Sequence, residues 1–291
     1  MGRNEAPSSE NLELLSNRPV RWAVVGLVIG ALAVVIQPFA TLTLGPVSVT
    51  PLPMAFGLTS VLGGPLAVVA CAVGYIATEA TNSIVPVWSA VGYASLGLLV
   101  SVCWTQLNDN TRVVPDVRSR SAAGKWITAS AVAALGSSTL LAWGYVIMGQ
   151  FSFYPTALFT VLSYTVSLLV GGGAVVAGLP RIVGADRWQS LARRECENVR
   201  AQPGTGWIGL VTAILFGWFI LASSISIGFQ IVELVPPFHI RARDLEPLLL
   251  FTERGPFDDG GQVFQLAVGA TAIALLVAVV RRYNVLDWTR S

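Results

Sequence analysis

Histidine occurs once in this chain, at His239, and lysine once, at Lys125. With one imidazole, outside the apolar runs, histidine acid–base chemistry inside those runs is excluded. The three cysteines are no richer a resource. Cys71 and Cys103 lie within apolar runs, Cys196 lies in an Arg-rich stretch, and no CxxC or Cys/His cluster occurs. Neither a metal site nor a disulfide framework is expected, and the thiols read as small buried hydrophobes. The P-loop, the Gly-rich dinucleotide fingerprint, HExxH and the nucleophile elbow are also absent. The chain therefore reads as neither an enzyme nor a cofactor protein. Asp258-Asp259-Gly260-Gly261 lacks the alternating oxygen ligands of a calcium loop and reads as a solvated turn.

Charge is the other scarcity. Charged residues make up 12% of the 291 positions, where a soluble domain carries about 25%. Too few charges remain to cover a water-facing surface. A net charge of +2, with no continuous basic patch, gives no reason to expect nucleic acid.

What the chain has instead is apolar sequence, 54% of it. Apolar runs cover about 21–42, 51–62, 65–81, 86–105, 124–148, 155–179, 207–233 and 262–280. Most approach the roughly 20 residues needed to cross a bilayer core. The N-terminal 20 residues carry Glu5, Glu10 and Glu13, and no small-residue cleavage site follows the first run. That run is expected to stay as a transmembrane helix rather than leave with a signal peptide. The predicted class is an all-α integral membrane protein of about eight helices.

The second and third runs meet at Gly63-Gly64-Pro65, which permits either one kinked helix or a tight helical hairpin. Charge placement favours the hairpin. Eight passages with the N-terminus inside put fifteen of the eighteen basic residues on the inner face and only Arg241, Arg243 and Arg254 outside. Cytoplasmic loops carry such an excess. A single helix over 51–81 scatters the basic segments over both faces. The expected organisation is a six-helix bundle over 1–183, an Arg-rich cytoplasmic connector over 184–206, and a C-terminal transmembrane hairpin over 207–291. In the connector, Trp188, Leu191 and Val199 among charges suit a short surface helix that Pro203-Gly204 ends. The hairpin's outer loop is acidic, with Asp244, Glu246, Glu253, Asp258 and Asp259.

Polar groups within the runs gather in the predicted outer half. Glu79 is the one ionisable residue near the body of a run, and intramembrane charge is costly enough to favour a pocket or partner. Snorkelling to water is its bland alternative. Asn82, Gln37, Thr50, Trp88, Tyr93, Gln150 and Tyr154 fall at the same level. A polar and aromatic cluster opening outward is what a small-molecule pocket requires. Trp and Tyr also favour membrane interfaces on their own account. Gly26 and Gly30 form a GxxxG on the first helix. Such a face serves either packing within the bundle or docking of another subunit.

The stretch from Leu44 to Ala80, with Leu62-Gly63-Gly64-Pro65 at its turn, Gly74 in the next helix and Glu79 near its end, resembles the substrate-binding (S) components of energy-coupling factor transporters. The resemblance covers about 1–183. It implies a six-helix fold with both termini cytoplasmic, in the plasma membrane of a prokaryote. It implies a vitamin-like nutrient as ligand, held here by Glu79, Asn82, Gln37, Thr50, Trp88 and Tyr154. Gly26 and Gly30 match the family's small-residue face for a transmembrane coupling subunit, and energy comes from separate ATPase subunits. The 207–280 hairpin departs from that family. A structural or assembly protein that binds only protein partners is the alternative.

Overall fold

The computed structural model describes residues 18–79, 85–108, 119–183, 206–234 and 262–282. Asn82, Cys196, His239, the connector over 184–205 and the loop over 235–261 lie outside the described residues. The described chain is almost wholly helical. The helices are α1 (Arg18–Ala40), α2 (Pro51–Glu79), α3 (Val85–Leu107), α4 (Arg120–Ile147), α5 (Phe153–Val166), α6 (Gly173–Val183), α7 (Gly206–Leu234) and α8 (Gln262–Arg282). A π-helical segment, Ser167–Gly172, joins α5 to α6. Taking Phe153–Gly178 as one span, seven helices among the described residues are long and apolar enough to cross a membrane.

The seven differ from the expected eight because Pro51–Glu79 forms one stretch of helix with a break inside it. Gly64 has φ 71° and ψ −163°, outside the helical region. Its position explains this: a residue before proline is pushed out of the α region, and only glycine takes positive φ without strain. Pro65 then opens the second arm, where its missing N–H is not needed. The two arms fold back on each other. Phe56 and Tyr75 both lie against the Tyr93 ring, at centroid distances of 5.4 and 5.5 Å. Nineteen residues along an unbroken helix would separate them by about 28 Å.

The second arm runs parallel to α1. Gly26 lies against the backbone of Ala67, Gly30 against that of Cys71, and Gly74 against Leu27 and Ala31. A β-carbon at any of the three would enter the facing backbone, so glycine is what lets the axes approach. The turn at Gly63 sits beside Trp22, near the start of α1.

One element stands beside the all-α expectation. Leu42–Leu44 and Val47–Val49 pair antiparallel, with Leu42 opposite Val49. Gly45, at φ 62°, is the first residue of their two-residue turn, a place where hairpins favour glycine. The second strand docks on the fifth span. The Ser48 N–H donates to Ser163 Oγ at 3.0 Å and the Thr50 N–H to Ser167 Oγ at 3.0 Å.

The helices α7 and α8 join the main core. Trp207, Val211, Leu215, Trp218, Ala272 and Val279 share one buried cluster with Trp104, Trp126, Leu141 and Phe153. The Trp143 indole N–H donates to the Gln265 carbonyl at 2.8 Å, and Gln265 Nε2 to the Ala222 carbonyl at 2.7 Å. Outward faces are apolar: Val24, Val28, Leu32, Val35 and Phe39 are exposed on α1, Phe39 by 89%. This is a multi-pass helical membrane protein whose exposed apolar surface faces lipid.

Candidate functional site

The two ends of the bundle differ in charge. The described Arg and Lys side chains belong to Arg21 near the start of α1, Arg120 and Lys125 at the start of α4, Arg181 in α6, and Arg281 and Arg282 at the end of α8. Chain direction places the α1, α4 and α8 groups at one end. Glu79 closes α2 at the opposite end.

At that opposite end an aromatic and hydroxyl cluster is built from four elements. Tyr93 of α3 lies at its centre, stacked on Phe56 at an interplanar angle of 22°, edge-on to Tyr75 at 67°, and 5.5 Å from the Tyr164 ring. The Tyr93 and Tyr164 side chains are neighbours, as are those of Tyr75 and Ser89. Ser89 also shares a 2.7 Å hydrogen bond with the Tyr145 hydroxyl. Tyr145 in turn meets Phe151 edge-on at 5.5 Å. The break at Gly64 is what brings Phe56 and Tyr75 to one ring.

Glu79, the leading sequence candidate, is half-buried one helical turn beyond Tyr75. Gln37 continues the stripe Gly26, Gly30, Ala33 that faces α2. The parallel register sets it level with Thr78 and Glu79. Its Oε1 is buried and has no hydrogen-bond partner. Thr50 comes just before α2 at this same end, with its backbone N–H tied to Ser167 Oγ. Trp88 locks two helices together: its indole N–H donates to the Leu141 carbonyl at 3.1 Å and its ring occupies the space left by Gly144. Tyr154 sits at the start of α5, where its backbone N–H reaches Ser226 Oγ at 3.4 Å. The structure therefore brings Glu79, Gln37 and Tyr93 to one end-region, sets Trp88 in a helix-to-helix contact, and ties the backbone of Thr50 and Tyr154 to serines of other elements. Gly26 and Gly30 are buried against α2, so the face they form is occupied from within the chain.

Sequence reasoning missed Phe56, Tyr75, Ser89, Tyr145 and Tyr164. Two of them carried a signal, since Tyr75 precedes Glu79 by four residues and Ser89 precedes Tyr93 by four, the spacing of same-face neighbours. Chemically, the cluster offers ring faces, neutral hydroxyls, one carboxylate and one amide oxygen. No group of three or more His, Cys, Asp or Glu side chains comes together among the described residues. Comparison with protein-family models, with curated proteins and with solved structures finds no match to this chain.

Proposed function

We propose that this protein binds a small molecule at the Glu79 end of the bundle and serves as the substrate-binding subunit of an uptake transporter. The observation that carries the reading is the convergence of four elements on one polar–aromatic cluster beside a half-buried carboxylate. Buried tyrosine hydroxyls and an intramembrane charge are costly in lipid and are kept where they bind something. In this reading the two arms of α2 count as separate crossings. That gives eight passages, with both termini on the cytoplasmic face of a prokaryotic plasma membrane and the cluster facing outward. The fifteen basic residues on the predicted inner side support that orientation. Residues 1–183 then correspond to the six-helix unit of the S components, and α7–α8 are an addition. A transmembrane coupling subunit and ATPase subunits supply the energy.

A second reading has its own support. The rings at the cluster pack directly on one another, as in a core built only for stability. A structural or assembly protein needs no more than that.

Native mass spectrometry of the purified full chain separates the two. The binding reading predicts a second peak, heavier by the mass of a retained small molecule. Only the bare chain, across preparations in mild detergents, favours the structural reading.

A further inference from the structure

We propose that Ser167–Gly172 is a one-residue register switch in the fifth span. With Met54 seated at Gly171 the segment is π-helical; with Met54 withdrawn it winds as α-helix and turns α6 about its axis. The inference concerns movement and stands apart from whether the Glu79 end takes a ligand.

A π turn inside an α-helix holds one residue more than the α turns around it, and such turns gather at functional sites. Winding Ser167–Gly172 as α-helix, with α5 held, advances every later residue by one position. Each residue of α6 then takes the place its successor holds now. The shift is about 100° of rotation and about 1.5 Å along the axis.

The sequence is nearly unchanged by that shift. Residues 170–177 read VGGGAVVA. Val176 is 2% exposed and Val175 is 38% exposed. After the shift Val175 fills the buried place with an identical side chain. Gly172 lies against Trp126, and Gly171 replaces it there without adding an atom. The place of Gly173 passes to Gly172 in the same way. Two registers with matched packing are what a packed interface needs in order to switch between discrete states.

The π register is held from outside the segment. The Gly173 N–H is shared between the Leu168 and Val170 carbonyls, which leaves the Leu168 oxygen weakly bonded by the backbone. The Trp126 indole N–H adds a second donor to it at 3.2 Å. Met54 supplies the steric part. Its Sδ and Cε fill the space that a β-carbon at Gly171 would need. In the α register Val170, now 61% exposed, comes to that place and meets Met54. Met54 follows by four residues Thr50, whose N–H donates to Ser167 Oγ at 3.0 Å. The ribbon and the first turn of α2 are thus seated together on the segment. Their displacement frees the Gly171 place, and the rotation carries Arg181 of α6 with it.

The test reads which valine is covered. Single cysteines at Val175→Cys or Val176→Cys are placed in the full chain with its three native cysteines replaced by alanine. Their labelling by N-ethylmaleimide is timed in detergent. In this background position 175 is expected to react faster than position 176. Met54→Ala combined with Trp126→Phe is expected to lower the ratio of the two rates by about tenfold or more. Deletion of Gly172 removes the extra residue, so an α-wound segment then leaves α6 where it is now. Added to the Met54→Ala, Trp126→Phe chain, that deletion is expected to restore the original ratio. A ratio that the two substitutions leave unchanged overturns the switch. A ratio that falls and is not restored by the deletion shows plain loosening of the bundle and overturns it as well.

Discussion

The interface between α1 and α2 and the interface that α7 and α8 make with α4 solve one problem in opposite ways. Lipid gives helices no hydrophobic reason to associate, so contact must come from close packing or from polar bonds. The α1–α2 seam uses absence: Gly26, Gly30 and Gly74 remove side chains so that backbone meets backbone. The α4–α7–α8 seam uses bulk. Trp143 and Trp218 meet edge-on at 6.0 Å, and Trp143 and Gln265 bond across helices. A glycine seam tolerates no added atom, whereas an indole seam can lose one bond and keep its packing. The contrast yields a graded set of expectations.

Truncation near Arg187 tests the contrast most severely. It strips α7 and α8 from a core they share with Leu141 and Phe153, and leaves the Trp143 indole N–H without its acceptor. The truncated chain is expected to aggregate in detergents where the full chain elutes as one species in size exclusion. A monodisperse, ligand-retaining fragment would show that the second seam is an accessory and that 1–183 stands alone.

Next in size is the double substitution Gly26→Leu with Gly30→Leu. Overpacking costs about 1–3 kcal/mol per site, and here the obstruction is backbone rather than a movable side chain. Unfolding of the detergent-solubilised protein should show a loss of about 2–6 kcal/mol, together with loss of ligand binding. Full stability with loss only of partner copurification would instead make this face a docking surface.

Gly64→Ala comes third. A residue other than glycine at φ 71° costs of order 1–3 kcal/mol, and here the strain also pushes against the fold-back that delivers Phe56 and Tyr75 to Tyr93. Destabilisation by that amount, measured by thermal unfolding, is expected. An unchanged midpoint would mean the arms can pass through this turn with ordinary backbone.

The smallest stability effect belongs to the indole seam. Trp143→Phe keeps a ring and removes one interhelical hydrogen bond, which in membranes is worth about 0.6–2 kcal/mol. A loss as large as that of the glycine pair would erase the distinction between the two seams.

Much of this architecture was legible in the sequence for a physical reason. Apolar length reports membrane crossing directly, and the pair Gly64-Pro65 reports a helix break because each residue restricts the backbone in a known way. Glu79 stood out because charge in an apolar run is conspicuous. The aromatic partners did not, because Tyr75 and Tyr164 look like any interfacial tyrosine until the fold-back brings three elements to one ring. Trp88 reads two ways: its place at a helix start suits a pocket rim, and Gly144 across the interface gives it a packing slot. The ribbon over Leu42–Val49 was also readable, as alternating residues around Gly45-Pro46, though its short length hid it among long helices.

The claim at the centre of this account is that the fold-back of α2 assembles a ligand site around Glu79. Binding of the copurified small molecule to Glu79→Gln, beside the unsubstituted full chain, measures it most directly. Loss of one charge-assisted hydrogen bond is worth roughly 1.5–3 kcal/mol, about 10- to 150-fold in affinity. The account predicts a weakening in that range with the thermal midpoint of the ligand-free protein little changed. Equal affinity in the two proteins would contradict it and leave Glu79 as a carboxylate that reaches for the membrane surface.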